Sequence, residues 1–179
     1  MKKGFTLMEV NLAILIMAGG ILSVMGLYSL GFRESRQSSE DVASAVYADA
    51  VLSPLTMAIS ATNLKWSVFR SLGNYPSKEG WRDYFDNNGN VVQNPESKAR
   101  AAFSSMMGEV ERAAEGSLDV PKTWPDASAS GGLNAGLVIL HKRDSAVVKI
   151  GFRATKQAGL LLGSPLYYTE VRFQGIADK

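Results

Sequence analysis

Twenty-three consecutive residues without a charge, Val10 to Phe32, constrain this chain more than anything else in it. The most polar members of the run are Asn11, Ser23 and Ser29. Wound as a helix at about 1.5 Å per residue it rises roughly 35 Å, against a hydrocarbon core of about 30 Å, so it is long enough to span a bilayer. Lys2 and Lys3 precede it, and the positive-inside bias then places the N-terminus in the cytoplasm and residues 33 onward outside. A cleaved secretory signal would have a shorter apolar part ending on a small-residue site. Here the run leads directly into GFRESRQSSED, which continues as a helix. A plain signal anchor accounts for the length and the lysines, but says nothing about Gly4, Phe5 or Glu9. A carboxylate inside a membrane segment is costly and is normally present for a partner.

The remainder of the chain limits the functional classes open to it. Its 179 residues are enough for one domain with a core of its own beside the apolar segment. Without Lys2, Lys3 and Glu9 it carries 17 basic and 16 acidic residues, which gives no electrostatic case for nucleic acid. It contains no cysteine, which excludes disulfides, thiolate catalysis and thiolate-bound zinc without choosing a compartment.

The segment KGFTLMEV, with a short basic leader before it and an unbroken apolar helix after it, resembles the class III signal of type IV pilins and type II secretion pseudopilins. The likeness covers residues 1 to about 53 and is specific at Gly4, Phe5, Thr6, Leu7 and Glu9. In that family a membrane peptidase cuts after the glycine and methylates the new terminal phenylalanine. The resemblance therefore implies a leader of residues 1–4, cleavage between Gly4 and Phe5, and N-methylation of Phe5. It implies a membrane and filament-core segment over 5–32, and an exported globular part over 33–179 that includes the outer half of the helix. Glu9 becomes the fifth residue of the mature chain, where the family keeps its glutamate. The implied partners are other pilins or pseudopilins, a prepilin peptidase, and an assembly ATPase with its membrane platform. The implied location is the cytoplasmic membrane, then a periplasmic or cell-surface filament.

Physics offers a role for the acid in that setting. Cleavage creates a cationic amine on Phe5, and a like subunit shifted along a filament axis brings that amine to Glu9. The pair would set axial register. The alternative is a carboxylate solvated in the headgroup zone with no partner. Gly19, Gly20, Gly26 and Gly31, with Ala13 and Ala18, give small faces for close helix approach, in a filament or in ordinary bilayer packing. Many type IV pilins carry a proline in mid-segment, and this chain has none there.

Downstream, residues 33–53 read as a polar continuation of the helix, with Pro54 ending or kinking it at Ser53. PLTMAISATNLKWSVFRSL suggests a second short helix. Asn94-Pro95-Glu96 is a helix start, followed by an apolar stripe at Ala99, Phe103, Met106, Met107, Val110 and Ala114, with Gly116 as the stop. In AVVKIGFRA, Val148, Ile150 and Phe152 alternate with Lys149, Gly151 and Arg153, giving one buried and one wet face. LVILHK before it and LYYTEVRF after it complete an antiparallel meander of three strands. The element order is α+β, similar to the pilin fold, in which a long N-terminal helix packs its outer half on a small sheet.

Candidates for chemistry are few. Asp86, Asn88 and Asn90 alternate like the opening of a calcium loop, but Val91 stands where such a loop needs glycine and Ser97 where it needs the closing acid, so a hairpin turn is expected. The single histidine, His141, has Asp144 across a turn, but no Gly-x-Ser-x-Gly or other nucleophile context accompanies it, and a lone strand histidine reads as structural. No HExxH or second histidine suggests a metal, and residues 117–136 lack a phosphate cradle. The expectation is a non-enzymatic structural subunit, without cofactor or catalytic residues. The absence of cysteine departs from the many major pilins that close a C-terminal disulfide loop, which favours a minor pilin or pseudopilin. The alternative is a signal-anchored extracytoplasmic enzyme, binding or adhesion module with no filament role.

Overall fold

The protein is described as a computed structural model covering residues 6–72, 80–92, 94–114, 120–126, 132–141, 145–156 and 158–177. The layout is α+β. Helix α1 (Leu7–Ile59) is followed by a short α2 (Trp66–Ser71), a 3-10 turn (Gly80–Tyr84), α3 (Pro95–Ala113), and strands β1 (Asn134–His141), β2 (Val147–Thr155) and β3 (Leu166–Arg172). A second 3-10 turn, Ala158–Gly163, joins β2 to β3. The chain divides into two units, Met1–Glu40 and Asp41–Lys179.

The body, Asp41–Lys179, is built on an antiparallel sheet in the order β1-β2-β3. Leu137 pairs with Phe152 and Ile139 with Ile150, while Val148 pairs with Val171 and Phe152 with Tyr167. The face carrying Leu137, Ile139, Val148, Ile150 and Phe152 is buried, as its alternation demands. Against it lie the outer half of α1, through Tyr47, Val51, Leu55, Ala58 and Ile59, and the apolar stripe of α3, through Phe103, Met106 and Val110. Tyr47 meets Phe152 edge-on at 5.4 Å. Its hydroxyl accepts from the indole N–H of Trp124 at 2.8 Å and donates to Glu96 at 3.2 Å. Burial, with the charge of Glu96 added, pushes that hydroxyl well above the usual tyrosine range.

Helix α3 begins as its sequence dictates. Asn94 caps it from a left-handed conformation, its side-chain oxygen accepting the Ser97 N–H at 3.1 Å, with Pro95 in the first turn. Gly116 lies outside the described residues; α3 itself ends at Ala113. Of the two outcomes expected at Pro54, an end or a kink, helix α1 corrects the first. It does not stop at Ser53 but runs through the proline to Ile59, so the segment expected as a second helix is divided between the end of α1 and α2. A proline inside a helix costs about 3 kcal/mol. Pro54, Leu55, Ala58 and Ile59 are all buried, and at about 1.5–3 kcal/mol for each large apolar side chain the core contact outweighs that loss.

The wet face of β2 is also less open than its pattern suggests. Trp81 lies over Gly136 and Gly151, where an added Cβ would come within 3.0 and 3.3 Å of its ring. Arg153 stacks on the same indole at 5.2 Å and donates from Nη1 to the carbonyls of Leu162 and Ser164, holding the second 3-10 turn. The C-terminal end closes the body: Ile176 donates to the Leu64 carbonyl at 2.9 Å and accepts from Trp66 N–H at 3.1 Å. Gly175 passes so close to Leu64 that a Cβ there would fall 1.9 Å from its carbonyl oxygen.

Candidate functional site

The first residues of α1 form a reciprocal pair. Thr6 precedes the helix and its hydroxyl oxygen accepts the Glu9 N–H at 3.3 Å. The Glu9 carboxylate reaches back through Oε2 to accept the Thr6 N–H at 2.8 Å and the Thr6 hydroxyl at 2.9 Å. Val10 N–H closes the first turn on the Thr6 carbonyl at 3.2 Å. This is a capping box, which satisfies amides that a helix start otherwise leaves bare. Glu9 therefore has a partner within its own chain, a role beyond both register and idle solvation. Thr6 is the residue that sequence reasoning passed over as a functional partner, although Thr-x-x-Glu before an apolar run is a known helix-start signature. The second oxygen, Oε1, accepts no hydrogen bond among the described residues. Gly4 and Phe5, the expected cleavage and methylation positions, lie outside those residues.

Beyond the cap, α1 presents apolar surface on every side. Leu15, Leu22, Met25, Leu27 and Phe32 are among many large side chains left exposed along it, and none of its most apolar window is buried. It is the one helix among the described residues long and apolar enough to cross a membrane. Ser23 returns its hydroxyl to the Gly19 carbonyl at 2.8 Å, so that polar group is satisfied within the helix. Gly19, Gly20, Gly26 and Gly31 have no atom within 4 Å of an added Cβ, so their small faces are open. Contiguous apolar surface on this scale requires a cover, whether lipid or other helices.

The other candidates have structural roles. Phe85 and Val91 form an antiparallel bridge around residues 86–90, with Gly89 in a left-handed conformation. Asp86 Oδ1 accepts the N–H groups of Asn88 and Asn90 at 2.9 and 2.8 Å, so the alternating side chains build the hairpin turn. These bonds, that from Asn90 first, hold the Asp86 carboxyl below its usual range. His141 lies edge-on to Phe69 at 5.1 Å, and its Nε2 is 2.8 Å from the Ser145 carbonyl oxygen. Asp144, its expected companion, lies outside the described residues. Trp66 packs with Phe69 and Phe173 and Trp124 with Tyr47 and Phe103, while Trp81 covers the sheet. Comparison with known protein families, curated proteins and solved structures returned no match.

Proposed function

We propose that this chain is a structural subunit, a minor pilin or pseudopilin, of a type IV pilus-like or type II secretion-like filament. The observation that carries the reading is KGFTLMEV at the head of a helix whose apolar side chains have no cover of their own. In this reading the precursor inserts in the cytoplasmic membrane and a prepilin peptidase removes Met1–Gly4. The assembly ATPase and its platform then move the helix from lipid into a bundle of like helices. The transfer exchanges one apolar surrounding for another, so little hydrophobic free energy opposes it. Glu9 keeps one carboxylate oxygen for the Phe5 ammonium of a neighbouring copy while the other caps its own helix.

The capping box favours one competing reading: a signal-anchored module in which Glu9 serves only the helix start. Glu9→Gln separates the two, because glutamine fills the capping position without the charge. For a filament subunit, Glu9→Gln inserts and is cleaved as the parent, but its incorporation into sheared filaments falls at least about tenfold. Incorporation at the parental level removes the register role. N-terminal sequencing of the membrane-extracted protein begins at N-methylated Phe5 if the reading holds. An intact Met1 in cells that possess the peptidase leaves the anchor.

A further inference from the structure

The sheet has two edges, and they are treated differently. On β1 the buried Tyr84 hydroxyl donates to the Leu137 carbonyl at 2.6 Å and accepts the Leu137 N–H at 2.7 Å, satisfying the outward groups of Leu137 in mid-strand. On β3 the ladder continues to Phe173, whose N–H donates to the Ala146 carbonyl at 2.8 Å. Antiparallel alternation then turns the backbone groups of Thr169 and Val171 toward β2 and those of Leu166, Tyr168 and Glu170 outward. Among the described residues the outward groups have no backbone partner. This open edge forms one wall of a slot of about 610 Å³, lined by Leu166 to Thr169 on one side and by Ala45, Asp49, Leu52 and Met57 of α1 on the other.

We propose that the slot takes an extended basic segment of a partner polypeptide, which adds as a fourth strand along β3 with a lysine or arginine facing Asp49. An edge whose N–H and C=O groups recur at alternate residues is matched by another backbone in extended conformation. A helix beside such an edge turns it into a groove with a floor and two walls, in which alternate side chains of the added strand are read. Leu52, Met57 and Leu166 offer apolar contact. Asp49 is the only charged residue among the described residues that line the slot and favours a cation opposite it. This surface lies within the body and does not depend on the fate of Gly4, Phe5 or Glu9.

The test uses the full chain in detergent micelles with a short peptide alternating valine and lysine, and a valine–glutamate peptide as its counterpart. Saturation with the lysine peptide slows amide exchange at Tyr168 and Glu170 at least about tenfold and leaves Thr169 and Val171, already in the ladder, unchanged. Asp49→Asn weakens that peptide about threefold. Ala45→Trp, at an exposed helix position, fills the slot and abolishes binding while the circular dichroism spectrum is retained. The proposal is overturned by unchanged exchange at Tyr168 and Glu170 under millimolar peptide, by equal affinity for the glutamate peptide, or by binding that survives Ala45→Trp. It is equally overturned if those amides become protected without peptide as protein concentration rises, since a second copy would then be the occupant.

Discussion

The two halves of α1 are one helix with two different reasons to exist. From Ser44 to Ile59 its inner side chains are buried against the sheet and α3, so the helix there is a consequence of tertiary packing. From Leu7 to Phe32 the only side-chain hydrogen bonds among the described residues are local, the Thr6–Glu9 cap and the Ser23 bond to Gly19, and the apolar side chains are exposed. That half draws its stability from propensity, its cap and whatever surrounds it. The contrast explains how one helix tolerates Pro54 where the body holds it, yet carries four glycines whose faces are open among the described residues.

Mutations should divide along the same line. Phe152→Ala removes a fully buried ring at the centre of the body, and denaturant unfolding followed by tryptophan fluorescence should register a loss of about 4 kcal/mol. Leu22→Ala, in the other half, leaves that transition unmoved; a comparable loss would erase the distinction between the halves. Gly175→Ala forces a methyl against the Leu64 carbonyl and is expected to cost about 3 kcal/mol by the same assay. Tyr84→Phe strands the buried N–H and C=O of Leu137, costs about 2 kcal/mol, and speeds amide exchange at Leu137 more than at Ile139. The smallest effect concerns a place where the body, like the head of α1, relies on local bonds. The Asp86 carboxyl titrates below its ordinary 3.8, so its contribution is complete at neutral pH and is lost as pH falls through the lowered value. Protection of the Asn88 and Asn90 amides, taken relative to intrinsic exchange at each pH, should fall in that acid range and hold above it.

Local chemistry carried much of this fold in readable form. Asn94-Pro95, the alternation in β2 and the turn at Asp86–Asn90 are features in which neighbours in sequence satisfy one another, and each takes the form its residues imply. The misreadings have the opposite character. Pro54 obeys a local rule that Leu55 and Ile59 override through contacts with residues made much later in the chain. Arg153 alternates like a surface residue, and only the arrival of Trp81 from a distant turn gives its guanidinium a place to stack. Gly136 and Gly151 have no local signature for the ring that covers them. At the head of α1, Glu9 drew notice for its charge, whereas its bond to Thr6 follows from a spacing visible in the same eight letters.

The hydrogen bonds that join Ile176 to Leu64 and Trp66 set an order on synthesis. Ser44 and Tyr167, which share a 2.8 Å hydrogen bond, are separated by 123 positions, and every strand of the sheet follows α3 in sequence. Tyr47, Val51 and Leu55 are therefore synthesised well before the strands that cover them. Until then a nascent molecule displays two sticky stretches in tandem, one permanent and one temporary. A chain cut before Gly175 would leave the temporary one without its latch.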